Sequence, residues 1–265
     1  SSLDPKPFGR RLLVSDYVGN KVAIVAADGR VEWSTPAEKP QDSWLLPNGN
    51  VLFSHVHGAK EVKPDQSVAW EYVADAKTEI QGCQPLADGR VLVVECGPGR
   101  LLEIGRDGKI AKEIKVPLTP TIRTHEQMRG CRKTADGRYL VSAKGDRAVL
   151  ELSADGKLLR SQPVNGDVHD VRELANGNWL VALGEGDGVA DVHPLHERQG
   201  VVESSHFAVK ARQVMQARRC VGVLRAQNPL ANVERSGVEW QSFFVSALGL
   251  ERGRQVVQAE SCVRM

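Results

Sequence analysis

The chain has 265 residues, of which 41% are hydrophobic and 26% charged, and its formal net charge is +2. This balance is typical of a globular protein. No run of eighteen apolar residues occurs, which excludes a membrane-spanning helix of ordinary composition. No concentrated basic patch interleaved with aromatic residues occurs in the repeat region, so we expect no nucleic-acid partner.

A turn motif recurs along the first two thirds of the chain at intervals of 40, 48 and 40 residues. Its four copies are Asn48-Gly49, Asp88-Gly89, Asp136-Gly137 and Asn176-Gly177. Self-similarity at about 40 residues is the mark of a repeat architecture.

A second turn alternates with the first. Its copies are Asp28-Gly29, the degenerate Asp65-Gln66, Asp107-Gly108 and Asp155-Gly156. Each repeat therefore contains two hairpins. For both we predict two-residue loops with positive φ at the two central residues, which suits Asn, Asp and Gly.

Short β-branched or aromatic runs follow every turn and are predicted to be strands. After the first turn they cover residues 50–54, 90–94, 138–142 and 178–182; after the second they cover 30–33, 67–70, 109–112 and 157–160. Four strands per repeat with no amphipathic helix predict an all-β fold, a β-propeller of four-stranded antiparallel blades. We expect six to eight blades in a complete propeller, with four to five recognisable in residues 1–190.

The repeat resembles the quinoprotein-like propellers, of the pyrroloquinoline-quinone and arylsulfotransferase types. The matching stretches are residues 27–33, 46–50 and 169–178. The resemblance implies an architecture rather than a substrate, because propellers carry many unrelated functions. The chain is short for an arylsulfotransferase. It also has no clear run of calcium ligands of the kind that quinone-dependent dehydrogenases use, so the cofactor stays unassigned.

The character of the sequence changes in residues 191–265, which contain no Asn-Gly or Asp-Gly and have nine Arg against one Lys. This region is a divergent C-terminal region or a frameshifted continuation of the propeller. In the plus-one reading frame, the codons of residues 196–203 permit Thr-Asn-Gly-Lys-Val-Leu-Trp-Lys, and those of residues 232–241 permit another Asn-Gly turn. A frameshift near residues 184–195 is therefore our hypothesis, and a genuine divergent tail is its alternative.

Reactive side chains are expected on one face of the propeller. Both turn types lie on the same face, so the second-to-third-strand connections and the links between blades share the opposite face, around the mouth of the channel. Six candidate ligand-binding residues map there: His55, His57, His125, Arg129, His169 and Asp170. Imidazoles, a guanidinium and a carboxylate can bind an anionic or phenolic ligand, coordinate a metal or move protons.

Each candidate also has a structural interpretation. His55 and His57 suit a hairpin as well as a metal, and no third ligand is evident. The resemblance to arylsulfotransferases implies that His169 is a sulfate-accepting nucleophile, whereas the alternative is a channel-wall hydrogen bond. Trp33 and Trp70 are predicted to be packing residues. Cys83 and Cys131 occupy equivalent positions in consecutive blades and are predicted to be buried and unpaired.

The sequence favours a non-catalytic binding module that presents a site for a small molecule, glycan or protein at the channel mouth. The alternatives are a propeller enzyme that uses the channel-mouth histidines and a truncated or frameshifted product with no intact function. An enzyme should bring the histidines and Arg129 into one pocket, whereas a scaffold should disperse them. The start at Ser1 without an initiating Met favours a periplasmic or extracellular location.

Overall fold

The computed structural model describes residues 10–184, 188–192, 243–247 and 257–261. Apart from a single-turn 3-10 helix at Thr124–Glu126, the regular structure in these residues is all β. Five sheets follow one another along the chain, and their innermost strands lie side by side around a central channel. This confirms the predicted propeller.

Three blades have four strands each, and the first and fifth show three propeller strands each. The first contains β1 (Leu12–Asp16), β2 (Lys21–Val25) and β3 (Val31–Pro36); the second β4 (Ser43–Leu45), β5 (Val51–His55), β6 (Gly58–Val62) and β7 (Val68–Val73). The third contains β8 (Glu79–Pro85), β9 (Val91–Cys96), β10 (Arg100–Ile104) and β11 (Ile110–Lys115). The fourth contains β12 (Gly130–Lys133), β13 (Tyr139–Ala143), β14 (Ala148–Leu152) and β15 (Leu158–Pro163); the fifth β16 (Val168–Glu173), β17 (Trp179–Leu183) and β18 (Gly188–Val192).

Two further strands belong to the first sheet. They are β19 (Phe243–Ala247) and β20 (Val257–Ser261), which pair antiparallel with each other, and β20 runs parallel to β1. The two segments whose plus-one reading restores a turn, 196–203 and 232–241, lie outside the described residues.

The strands begin within a residue or two of their predicted positions, but the predicted turn type is wrong. Leu46 N–H donates to the Asn50 carbonyl at 2.8 Å, and Gly49 N–H donates to the Leu46 carbonyl at 2.9 Å. Three residues therefore form the loop, and only Gly49 has a positive φ (85°). The side-chain Oδ1 of Asn48 accepts a hydrogen bond from the Asn50 N–H at 3.0 Å. Asn or Asp therefore suits this position as a hydrogen-bond acceptor and not because it adopts a positive φ.

The degenerate second-blade turn has the same geometry without glycine. Gln66 has φ 71°, a left-handed conformation that favours glycine, and its N–H donates to the Lys63 carbonyl at 3.0 Å. Asp65 accepts the Ser67 N–H at 2.9 Å, as Asn48 does for Asn50. The hairpin therefore forms in spite of the substitution.

The hydrophobic core is divided among the contacts between neighbouring blades. One cluster joins the third and fourth blades and contains Leu101, Tyr139 and Val141, all almost completely buried. Trp70 is 5% exposed in the cluster of the second and third blades, and its Nε1–H donates to the Gly105 carbonyl at 3.0 Å. Trp33 packs partly buried against the cluster of the first two blades. Both tryptophans are packing residues, as predicted.

A buried carboxylate recurs at the fourth position of the third strand in the three complete blades: Glu61, Glu103 and Glu151. The first two are bound by the following blade. Glu61 forms an ion pair with Arg106 of the third blade, and Glu103 forms one with Lys133 of the fourth blade at 2.5 Å. Each contact fixes the position of one blade against the next.

The described cysteines match the prediction. Cys83 and Cys131, together with Cys96, are buried and form no disulfide. Burial raises the pKa of the Cys96 thiol to about 12, which keeps it protonated at neutral pH. Within the described ranges, no helix is long and apolar enough to cross a membrane.

Candidate functional site at the channel mouth

Four equivalent positions surround the mouth of the channel at the start of the inner strands. Each lies eight residues before a turn glycine, and the four are Gln41, Gln81, Arg129 and His169. The connections β1–β2 and β5–β6 and the links between blades approach the same face. The repeat therefore places a different polar side chain at one structural position in each blade.

A closed cycle of hydrogen bonds joins two of these residues to the link before the fourth blade. His125 Nδ1–H donates to Glu79 Oε2 at 2.6 Å, and Arg129 Nη2–H donates to His125 Nε2 at 3.1 Å. Arg129 Nη1–H donates to Gln81 Oε1 at 2.9 Å, and Gln81 Nε2–H returns to Glu79 Oε2 at 3.0 Å. Because a guanidinium can only donate, Nε2 of His125 is the acceptor in this cycle and Nδ1 is the donor.

His169 lies beside this cycle, in an environment that disfavours protonation. Burial, together with the positive charges of Arg129 and Lys144, lowers the pKa of His169 to about 3. Its ring fills the space next to Gly184, where an added Cβ would lie 2.3 Å from Nε2. Lys144 is itself buried and paired with Glu126 at 2.6 Å. His169 therefore stays neutral across the physiological pH range.

His55 and His57 lie farther from the axis, in the β5–β6 hairpin. A ring nitrogen of His57, Nδ1, donates to the Thr78 carbonyl at 2.8 Å. Burial and the nearby Lys60 lower the pKa of His55, whose ring packs against Gly58. Of the six predicted residues, the structure brings His125 and Arg129 into direct contact and His169 next to them; His55 and His57 are held by the hairpin and its neighbours.

Asp170 faces down the channel into an ionic network. Arg132 bridges two carboxylates, with Nη1 2.5 Å from Asp42 and Nη2 3.1 Å from Asp170. Arg172 Nε lies 3.3 Å from Asp170 as well. Burial opposes ionisation of Asp170, but Arg132 and Arg172 hold its pKa below the ordinary value. Both guanidiniums also lie over the Trp44 ring, 5.3 and 5.1 Å from its centroid. This network spans the channel below the mouth.

A small open recess, with a cavity volume of about 10 Å³, lies on the mouth face among the first three blades and the link to the fourth. Its lining residues are Tyr17, Lys39, Gln41, Val56, Glu79, Ile80, Gln81 and His125. The recess combines one ammonium group, one carboxylate, amides and a phenol with two aliphatic side chains. Such a surface can orient a small polar ligand.

Sequence reasoning missed Glu79, Gln41, Gln81 and Lys39. Gln41 and Gln81 were detectable, because they share the repeat position of Arg129 and His169. Glu79 bonds to a residue 46 positions away, a separation that no local pattern reveals. Among the described residues, no group of three or more His, Cys, Asp or Glu side chains is arranged to hold a metal ion.

Comparisons with known proteins agree with the repeat architecture. A family model described as outer membrane protein assembly factor BamB matches residues 3–130. A solved protein of unknown function from Bacteroides caccae is 31% identical over 71% of this chain and 69% of that chain, with a TM-score of 0.64. No curated protein sequence matches.

Two other solved structures share the fold at low identity. A catalytically inactive virginiamycin B lyase from Staphylococcus aureus with quinupristin is 14% identical over 72% of this chain and 68% of that chain, with a TM-score of 0.54. The WD40 β-propeller domain of Doa1 is 13% identical over 65% and 58%, with a TM-score of 0.53. At these identities the likeness concerns the fold alone.

Proposed function

Because the chain belongs to the PQQ-like β-propeller repeat family, we propose that it is a non-catalytic binding module that holds a polar group of a small molecule, glycan or protein in the mouth recess. The observation that supports this most strongly is the hydrogen-bonded cycle of Glu79, His125, Arg129 and Gln81. Both ring nitrogens of His125 are engaged within the protein. A general base needs a nitrogen lone pair within reach of substrate, and His125 presents none in this arrangement.

The shape of the recess favours contact with part of a larger partner. It is open to solvent, and its cavity volume of about 10 Å³ is far below the roughly 300–1,000 Å³ of sites that enclose a drug-sized molecule. The recess therefore suits a single polar group, with the rest of the partner lying on the mouth surface. Arg132 and Arg172, which both lie over the Trp44 ring and pair with Asp170, occupy the channel below, so we expect a ligand to approach from the mouth face.

The binding proposal is tested by immobilising the full chain and screening glycan and peptide arrays. A Gln81→Ala variant should lose binding to any hit, because Gln81 lines the recess and holds Arg129 and Glu79 in place. A Lys109→Ala variant on the opposite face is the matched control, since Lys109 is largely exposed at the turn. Equal losses in both variants, or hits that neither variant weakens, would contradict a site at the mouth.

An arylsulfotransferase-like activity is the second candidate, favoured by His169. Its imidazole is neutral at physiological pH and lies near the positive charges of Arg129 and Lys144, which would attract an anionic donor. The test is transfer of sulfate from 4-nitrophenyl sulfate to phenol, followed as release of 4-nitrophenol. Turnover that is lost in His169→Asn would establish the enzyme and refute the non-catalytic proposal.

We also propose a periplasmic or extracellular location. The match to a family described by an outer membrane assembly factor supports it. Fractionation of the native host with an antibody against the chain is the test, and recovery in the cytosolic fraction would overturn the proposal.

A further inference from the structure

The chain contains three Asn-Gly pairs, and the fold holds them in different ways. They are Asn48-Gly49, Asn165-Gly166 and Asn176-Gly177. In such a pair the backbone nitrogen of the glycine can attack the side-chain carbonyl carbon of the asparagine, because glycine has no side chain to hinder the approach. The three pairs share this intrinsic reactivity, so their local structure decides which of them reacts.

The pairs at Asn48 and Asn176 are held in hairpin turns between paired strands. Gly49 N–H, the potential nucleophile, donates to the Leu46 carbonyl at 2.9 Å. The Asn48 side chain is also held, since its Oδ1 accepts the Asn50 N–H at 3.0 Å. The turn at Asn176 repeats both bonds, at 2.9 and 3.0 Å. Attack at either turn therefore requires these bonds to open and the hairpin to distort.

The pair at Asn165 lies in the link between β15 of the fourth blade and β16 of the fifth, two strands that do not pair with each other. Asn165 is exposed, and its side chain forms no hydrogen bond within the described ranges. Gly166 N–H donates to the Val164 carbonyl at 3.1 Å and closes a three-residue turn. The bond in so small a ring is bent and therefore weak. Both reacting groups of this pair are thus less restrained than those in the hairpins.

We propose that Asn165 is a site of spontaneous deamidation, and that the turns protect Asn48 and Asn176 from the same reaction. The Gly166 nitrogen loses its proton to solvent and bonds to Cγ of Asn165. The Cγ–Nδ2 bond breaks, and Nδ2 takes a proton from solvent and leaves as ammonia. Water then opens the five-membered imide at either carbonyl carbon, which produces an aspartate or an isoaspartate at position 165. Water is the only co-reactant.

The product adds a negative charge to the mouth face of the propeller. Asp167, two residues along the link, lies 3.7 Å from Lys144 Nζ and 3.8 Å from Arg147 Nε. A carboxylate at position 165 gives these cations a second potential partner. An isoaspartate also lengthens the backbone of the link by one carbon atom. Deamidation therefore alters the charge of the rim close to His169, whether or not the mouth binds a ligand.

The experiment incubates the full folded chain at pH 8 and 37 °C and follows each pair by tryptic digestion and mass spectrometry. Peptide 161–172 contains Asn165 as its only asparagine. It should gain the mass of one deamidation about tenfold faster than the peptides of Asn48 and Asn176. This ratio is the equivalent of about 1.4 kcal/mol, since each hairpin turn must open hydrogen bonds that Asn165 lacks.

Two controls identify the reaction and its dependence on the fold. Asn165→Gln should abolish the mass gain in peptide 161–172, because glutamine would have to close a less favourable six-membered ring. In guanidinium chloride the three pairs of the parent chain should react at similar rates, because the turns are lost. Labelling with an isoaspartyl methyltransferase should mark peptide 161–172 of the incubated folded chain.

Three outcomes would overturn the proposal. The first is deamidation of Asn48 or Asn176 in the folded chain as fast as that of Asn165. The second is an unmodified Asn165 in the folded chain after a period in which the unfolded chain reacts completely. The third is a mass gain of peptide 161–172 that persists in Asn165→Gln, which would place the reaction at another residue.

Discussion

Replacement of Glu103 by Gln tests whether the buried carboxylates stabilise the contacts between blades. Glu103 is 1% exposed, and it accepts hydrogen bonds from Lys133 Nζ at 2.5 Å and from the Tyr139 hydroxyl. Arg90 Nη1 lies 2.8 Å from its second oxygen. The substitution keeps the shape of the side chain and removes its charge, so three donors lose a charged acceptor at once.

The expected loss follows from burial and from the number of partners. Breaking a buried ion pair by removal of one member typically costs about 3–5 kcal/mol. The introduced side-chain amide retains one acceptor oxygen, and Arg90 and Lys133 are partly exposed and can regain water, so we expect a decrease in unfolding free energy of about 2–4 kcal/mol. For a chain of this size, that is a decrease in thermal midpoint of about 5–15 °C.

Urea denaturation followed by tryptophan fluorescence measures the loss, with Glu113→Gln as the matched control. Glu113 is on the same blade and pairs with Arg100 at 3.0 Å, but half of its side chain is exposed, so its substitution should cost less than about 1 kcal/mol. Equal effects of the two substitutions would refute the argument that burial makes the Glu103 contact important.

The pH dependence provides an independent check on the same residue. Burial opposes ionisation of Glu103, but the hydrogen bonds from Lys133 and Tyr139 hold its pKa below the ordinary value. The unfolded chain therefore binds the proton more readily, so this stabilisation is present above the unfolded pKa and is lost as the pH falls through the folded pKa. The difference between parent and Glu103→Gln should diminish as the solution is acidified; a constant difference from pH 7 to pH 3 would contradict it.

Three other predictions concern the turns, the mouth and the reading frame. Gln66→Gly should relieve the left-handed strain at φ 71° and raise the unfolding free energy from urea denaturation by about 0.5–1 kcal/mol, whereas Gly108→Gln at the equivalent turn should lower it; a destabilised Gln66→Gly protein would contradict this interpretation. His169 should show no imidazole titration by NMR between pH 5 and 8. Its folded pKa of about 3 is below the unfolded value, so its contribution to stability should be present above about pH 6.5 and be lost on acidification. This loss should be absent in His169→Asn. Nucleotide sequencing across codons 184–265 and beyond the stop should reveal further Asn-Gly and Asp-Gly repeats in the plus-one frame; stop codons in that frame would establish the tail as genuine.

The fold was largely predictable because its information is local and repeated. Turn residues and the runs after them identify the strands, for example β5 after Asn48-Gly49. The turn type was mispredicted, because Asn-Gly is compatible with both two- and three-residue loops. The hydrogen bond from the Asn50 N–H to the Asn48 side chain distinguishes the two loop lengths, and it is visible only in the structure.

The site was less predictable, because its contacts join residues that are distant in sequence. The equivalence of Gln81 and Arg129 follows from the repeat phase, but the pairing of Glu79 with His125 depends on how the link before the fourth blade returns to the axis. The 3-10 turn Thr124–Glu126 in that link positions His125, and no periodic signal predicts it. Departures from the repeat therefore carry the functional information.

The contacts of Glu61 with Arg106 and of Glu103 with Lys133 give the third blade two chemically different sides. One side supplies a buried carboxylate and the other supplies the cation that meets it on the preceding blade. Such surfaces are heterologous, so a blade side cannot pair with an identical copy of itself through a two-fold axis. Association of two chains through such sides would therefore join a carboxylate side to a cation side, head to tail, and would produce rings or filaments instead of symmetric dimers.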